Sequence, residues 1–483
     1  MAYETIIGME VHAQVITASK MFCGCSADTS APPNTHVCPV CLAMPGSLPV
    51  INEAAVRATI RTGLALHCEI PPHTKFDRKN YSYPDLAKGY QISQYDMPLC
   101  VDGWIDIPDG EDTKRLRIRR VHLEEDTGRL IHEGAHSLID DNRSGMPLME
   151  IVTEADLRSA DDAWFYLTKL RAILRYLGVS SGNMEEGAMR CEANISIRPE
   201  GASTFGTRVE IKNMNSFRAV RQAIAYEIER QRALLECGEQ VHQVTVGWDE
   251  NRRRTVFQRS KEYANDYRYF PDPDLPPLQL ERVMVEDMRR QLPELPDAKA
   301  ERLAREYGVK GDDVALLVQE RQIADFFEAT VKAAQGLEPQ VVANWMVGEL
   351  FRLLSEQEVA DGEIPITPQQ LADLLMLLHK GAINAAAAKE VLTELFHRGG
   401  SAEEVVQRRG LRQISSESDL AAVVAQVLAE NPQPVADYLQ GKGAALGFLM
   451  GQVMKATRGQ ANPQVARQLL MESLEGRRHD TEE

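Results

Sequence analysis

Apolar and polar side chains alternate along residues 5–15, TIIGMEVHAQV: Ile7, Met9, Val11, Ala13 and Val15 share one parity, and Gly8, Glu10, His12 and Gln14 the other. A period of two predicts a strand with one face in a core. The other face holds Glu10 and His12 side by side, a pattern that a solvent-facing strand also produces. Two later stretches place carboxylates among apolar neighbours. In RIRRVHLEEDTGRLIH, Glu125 follows Val121 and Leu123 on the same parity. In DNRSGMPLMEIVTE, Glu150 lies between Met149 and Ile151, with Leu148 and Val152 on its own parity. Burying a lone anion is costly, so each site calls for an arginine, a proton or a metal ion. An ion pair with Arg143 or Arg190 meets that need. So does a divalent cation held by several carboxylates, whose hard oxygen ligands suit Mg²⁺ with nucleotide phosphates.

The periodicity changes near residue 295. Before it, β-type alternation is mixed with Gly, Pro and aromatic residues; then FPDPDLPPLQLERVMVEDMRRQLPELP, with prolines at 271, 273, 276, 277, 293 and 296, marks a boundary. Beyond it, DFFEATVKAA, VVANWMVGELFRLLSE, QQLADLLMLLHKG and AAAAKEVLTELFHRGG carry apolar residues at spacings of three and four, as amphipathic helices require. Gly399 and Gly400 predict a helix stop, and a further small helical unit is expected from Gly410. Since single cores stop growing near about 250 to 300 residues, 483 residues imply several domains. The expected division is 1–294, 295–409 and 410–483. No internal repeat or low-complexity segment interrupts it.

A net charge of −17 argues against a surface that embraces nucleic acid as a whole, so any such contact must be local. One local exception exists. From Tyr438 to Met471 there is no Asp or Glu, whereas Lys442, Lys455, Arg458 and Arg467 lie there, so a contact with an RNA backbone is expected in this stretch. The GKG at 441–443 lacks the Ser or Thr that a phosphate loop places after its lysine. The apolar residues from Leu446 to Met454 read as helix core rather than as base-stacking platforms. Arg252 to Arg254 form a weaker basic run beside Asp249 and Glu250.

The opening MAYETIIGMEVH has no basic segment followed by an apolar run, and mean hydropathy is −0.32, so a cytoplasmic location is expected. In a reducing compartment, clustered cysteines more often bind metal than form disulfides. Cys23 and Cys25 form C-x-C and Cys38 and Cys41 form C-x-x-C, twelve residues apart. Two short knuckles so spaced resemble a zinc ribbon, whose four thiolates leave no position for substrate and so predict a structural ion. Cys68, Cys100, Cys191 and Cys237 show no such pattern and read as ordinary small side chains.

The runs IGMEVHAQV, KFDRKNYSYPDLAKGYQISQYDMPLC, HLEEDTGR and DDNRSGMPLMEIVTE, with MRCEANISIRP, VEIKNMNSF and EYANDYRYFPDPDLPP, resemble the GatB subunits of tRNA-dependent aspartyl/glutamyl amidotransferases. The resemblance extends over essentially the whole chain. It implies an α+β architecture: a cradle-like catalytic domain with antiparallel sheet, similar to glutamine synthetase and guanido kinases, followed by all-α helical and tail domains that contact tRNA. It implies ATP-dependent conversion of glutamate on tRNA(Gln), or aspartate on tRNA(Asn), to the amide through an acyl phosphate. Ammonia would come from a partner amidase, GatA, with a linking subunit, GatC. The resemblance assigns Glu10, His12, Glu125 and Glu150 to Mg²⁺. It sets Lys79, Tyr81, Lys88 and Arg190 near that centre, for phosphate handling or a polar ammonia path, and Glu125, Glu150 and Arg190 beside the nucleotide. Lys79 and Lys88 fit a solvated surface equally well. A free-standing ligase for a small carboxylic acid would not need the helical extension. A non-catalytic tRNA scaffold would leave the glutamates in apolar strands without a purpose. The archaeal-type relative GatE carries a large extra domain where this chain has only a proline-rich connector.

Overall fold

In the computed structural model the described residues are 2–260, 266–356, 363–414, 417–457 and 459–482. The chain divides into two compact units, Met1–Ala298 and Lys299–Glu483.

The first unit is built on one eight-stranded sheet. Its strands are β1 (Tyr3–Gln14), β4 (Cys100–Asp109), β5 (Asp112–Glu125), β6 (Pro147–Thr153), β7 (Met189–Pro199), β8 (Val209–Met214), β9 (Val244–Asp249) and β10 (Arg254–Ser260). Two short strands, β2 (Asp77–Asn80) and β3 (Tyr90–Ser93), pair with each other apart from it. The spatial order is β10-β9-β8-β7-β1-β6-β5-β4, antiparallel throughout except for the parallel β8–β9 pair. Alternation along β1 is realised as expected. Ile7, Met9, Val11 and Ala13 are buried in a core shared with Tyr166, Leu167, Leu170 and Leu174 of the helix α1 (Ala160–Leu177) and Val220 and Ile224 of α2 (Phe217–Glu236). Both helices start on a serine whose hydroxyl accepts a backbone N–H of the first turn, Ser159 from Asp162 and Ser216 from Ala219. With helices covering one face, the other is left to polar side chains.

The second unit is helical. One core gathers residues between Leu303 and Phe396 with Val405 and Val406, and a separate one gathers Leu420, Val424, Leu449, Val453 and Leu470. Helix Pro339–Trp345 runs through a wider turn, Met346–Leu350, into Phe351–Glu356. Thr367 and Gln370 form a reciprocal cap on Pro368–His379. Among the described residues no helix is long and apolar enough to cross a membrane.

Candidate functional site

The polar face of the sheet meets its chemistry in three neighbouring strands. Antiparallel register sets His12 of β1 opposite Glu150 of β6, and Glu150 opposite His122 of β5. Glu150 Oε2 consequently lies 3.4 Å from His12 Nε2 and 3.2 Å from His122 Nε2. Glu124, two residues on from His122 and on the same face, brings Oε1 to 3.7 Å from His12 Nε2. Candidate ligand atoms of His12, Glu124 and Glu150 all fall within 4.8 Å of one another. Glu124, His122 and Glu150 are buried.

Two anions in so small a volume need positive charge. Burial opposes charge on His12, but its hydrogen bond to Glu150 and the Glu150 and Glu124 carboxylates outweigh it and push its pKa up to about 9. Burial likewise opposes ionisation of Glu150, and His122 and His12 reverse the effect and hold it well below the usual carboxylate range. Glu10 accepts from Asn194 Nδ2 at 2.9 Å. Its pKa is raised by burial and by the Glu150 and Glu192 charges. An imidazole and two carboxylates with a third carboxylate alongside suit a divalent cation, which fits the Mg²⁺ expected here.

Glu10, His12, His122 and Glu150 floor a cleft of about 440 Å³ whose walls carry the cations Lys79, Arg120, Arg208 and Lys212 and the anions Glu192 and Glu210, Lys212 Nζ lying 2.6 Å from Glu192. Lys79 is not a solvated surface lysine. Among the described residues it forms no ion pair; its ammonium lies 5.1 Å from the Tyr267 ring and 6.0 Å from that of Tyr81. Burial disfavours its charge, and the Glu124 carboxylate, with Tyr269 and Glu150, more than restores it. A partly buried ammonium without a fixed ion-pair partner among the described residues, facing a space of this size, is available to an anionic ligand.

Glu125 departs from the expected metal set. Successive residues of a strand face opposite ways, so Glu125 points away from the cluster that Glu124 joins. Its Oε1 receives Lys88 Nζ at 2.5 Å and the Ile92 N–H at 2.9 Å. Gln91 joins this region to Tyr81: the Tyr81 hydroxyl donates to Gln91 Oε1 at 3.2 Å, and Gln91 Nε2 donates to the Glu125 carbonyl at 2.7 Å. Arg143 and Arg190 pair with neither Glu125 nor Glu150. Both reach Asp126 Oδ2 at 2.6 Å. Burial opposes the Asp126 charge, and Arg190 and Arg143 nonetheless hold its carboxyl below the ordinary range.

A second cavity, about 210 Å³, lies between the Lys88–Glu125 pair and the cysteine loop. The sulfurs of Cys23, Cys25, Cys38 and Cys41 lie within 4.8 Å of one another, and none is in a disulfide. The Cys38 N–H donates to Cys41 Sγ at 3.2 Å, the knuckle geometry that presents thiolates to an ion. Four sulfurs and no other donor fit structural zinc, with no position left for substrate. Replacing Cys38 or Cys41 by Ser is expected to leave purified, thiol-protected protein with less than half its zinc and a lower thermal midpoint; full zinc content by elemental analysis would refute the assignment.

Residues 5–286 match the model of the GatB/GatE catalytic domain, and residues 325–474 match that of a GatB domain. The chain belongs to the GatB family. The GatB-type subunit of the aspartyl/glutamyl-tRNA(Asn/Gln) amidotransferase of Thermomicrobium roseum is 56% identical over 480 residues, covering 98% of this chain and 99% of that one. The protein of the same name from Moorella thermoacetica is 52% identical over 478 residues, covering 98% and 100%. The one from Dehalococcoides mccartyi strain CBDB1 is 51% identical over 487 residues, covering 98% and 99%.

Within this GatB chain, two of the basic residues near the C-terminus lie on helices and Lys442 lies in the connection between Pro432–Leu439 and Ala444–Ala456. Lys455 is in the last turn of Ala444–Ala456, and Arg467 lies in Pro463–Glu482; both are exposed. Lys442 is exposed and pairs with Asp437 at 2.9 Å. Arg458 lies outside the described residues. Leu449 and Val453 are core, as the periodicity predicts, whereas Phe448 is half exposed. Arg252 reaches back to Asp249 at 3.7 Å.

The reading from sequence missed His122 and Glu124. The signal was present: in VHLE they alternate with Val121 and Leu123 as Glu10 and His12 alternate with Met9 and Val11.

Proposed function

We propose that this chain is the activating and transamidating subunit of a tRNA-dependent amidotransferase, acting on Glu-tRNA(Gln), Asp-tRNA(Asn) or both. The observation that carries the proposal is the His12–Glu124–Glu150 cluster, with both carboxylates buried, beside a cleft that Lys79, Arg120 and Arg208 also line. A carboxylate is a poor electrophile because oxide cannot leave. Transfer of the γ-phosphoryl of ATP gives an acyl phosphate, and ammonia then displaces phosphate. Mg²⁺ held by His12, Glu124 and Glu150 would supply charge neutralisation for the polyphosphate. The chain's own cations do the rest: Lys79, Arg120 and Arg208 bind and orient the anionic groups, while Lys212 stands paired with Glu192 at the cleft wall. Lys88, Glu125 and Tyr81 lie behind this face, and we assign them to a polar route for ammonia, with Arg190 positioning Asp126 beside it. We also assign the sheet-based catalytic unit to a cradle-like fold similar to that of glutamine synthetase and guanido kinases.

The partners are an amidase, GatA, a small linking protein, GatC, and the misacylated tRNA, in the cytoplasm. Incubating the assembled complex with each misacylated tRNA and ATP tests the reading. Amide formation on at least one of them is expected; ATP cleavage that ignores tRNA would contradict it. The helical unit and tail are assigned to tRNA. Removing residues 410–483 is expected to weaken tRNA binding by roughly tenfold or more and to flatten its salt dependence, because Lys442, Lys455, Arg458 and Arg467 leave with them. Equal affinity across a salt series would refute the tail's role.

A further inference from the structure

Lys20 is a lysine with no accessible surface at all. Its ammonium donates to the Asp141 carbonyl at 2.9 Å, and among the described residues no carboxylate lies within ion-pair distance of it. One carbonyl dipole is a small return for removing an ammonium from water, and buried lysines are ordinarily paired. The anion must therefore be sought a little farther off.

Three groups converge on one spot. A Cβ built on Gly145 would stand 3.7 Å from Lys20 Cδ, 3.7 Å from Cys41 Cβ and 4.0 Å from Glu125 Oε2, and Gly145 itself has φ +82°. Glu125 is engaged by Lys88. The cysteine loop is joined to Lys20 and to this turn along the backbone as well: Lys20 N–H donates to the Cys25 carbonyl at 3.0 Å, Met21 N–H to the Gly145 carbonyl at 2.7 Å, and Ser144 Oγ to the Cys41 carbonyl at 3.4 Å. A zinc ion with four thiolates carries a net charge of about −2. We infer that Lys20 is the buried counter-cation of the zinc–thiolate knuckle and fastens it to the 141–145 turn that passes beside Glu125. The side chain acts as a positioning residue. It stabilises the thiolate form of the knuckle electrostatically while its ammonium holds the Asp141 carbonyl, so metal loading and the seat of Glu125 depend on one charge.

The inference rests on the zinc reading of the knuckle, and the experiment separates the two. Full-length protein and its Lys20→Met variant, which keeps length and loses charge, are loaded with zinc and mixed with a chromogenic chelator. Zinc release at least about tenfold faster from the variant is expected, as for loss of a supporting group around a metal site. Unchanged release from a folded variant overturns the inference and leaves the zinc reading standing; wild-type protein without zinc overturns both. Thermal midpoints of a double-mutant cycle cover the case of a poorly folded variant. In a Cys38→Ser background, which has lost the anion, Lys20→Met should cost little or raise the midpoint. An equal loss in both backgrounds would mean that Lys20 only fills space, and the inference fails.

Discussion

Replacing Glu150 by Gln is expected to lower tRNA-dependent ATP cleavage by the assembled complex at least about 100-fold, with tRNA affinity and the fold retained. The amide keeps the shape of the side chain and removes the charge to which His12 and His122 both turn, at 3.4 and 3.2 Å. Glu124→Gln should act in the same direction, since Glu124 completes the cluster. Glu125→Gln is the discriminating control. It lies on the opposite face and its charge is spent on Lys88, so ATP cleavage should survive better than amide formation. The pH dependence has a definite sign. The His12 imidazole, with its pKa pushed up to about 9, is protonated at neutral pH when no metal is bound. A metal ligand must offer a free lone pair, so binding displaces that proton. Apparent Mg²⁺ affinity should therefore rise by about tenfold per unit as pH climbs from 7 toward 9, then level off. In Glu150→Gln the imidazole loses its main anionic partner and the slope should shrink. Normal turnover in Glu150→Gln would remove the cluster from the mechanism.

What the sequence could and could not convey follows from how far each relation reaches along the chain. Local relations were legible. Alternation in TIIGMEVHAQV separated the buried Met9 and Val11 from the polar Glu10 and His12, and the C-x-C and C-x-x-C spacings pointed to cysteines now found within 4.8 Å. The change to a period of three and four announced the helical second unit. Cross-strand relations were not legible. Glu150 has its charge balanced by His12, far earlier in the chain, and by His122, because register places both opposite it. Nothing local in DNRSGMPLMEIVTE indicates that, and the arginines near it in sequence or motif turn to Asp126. The exchange of Glu124 for Glu125 has a simple cause. Both neighbours are buried, and only the pleat decides that one faces the cleft and the other Lys88. Lys20 carried no periodic signal, since its isolation is a property of four separate segments closing around it.

The assembled complex with its amidase inactivated is expected to form amidated tRNA from ammonium salt and ATP, but not from glutamine. Among the described residues, the clustered and the buried cysteines are poor candidates for the nucleophile that glutamine hydrolysis needs. Cys23, Cys25, Cys38 and Cys41 converge on one point, where a metal would make them unavailable for attack, and burial pushes the thiols of Cys68, Cys100 and Cys191 up, away from the reactive thiolate. In the reaction proposed above, nitrogen arrives as ammonia, because ammonium has no lone pair with which to attack an acyl phosphate. Transit through a protein interior favours the neutral form, since burial penalises the charge. The Lys88–Glu125 pair borders the 210 Å³ cavity, and Glu125 adjoins Glu124 on the same strand, which is why the proposed ammonia route is placed there. Raising pH at fixed total ammonium should therefore raise the rate in step with free ammonia, and Lys88→Met should reduce glutamine-dependent amidation by roughly tenfold or more while ATP cleavage falls far less. Ammonia release from glutamine by the isolated chain would overturn this division of labour.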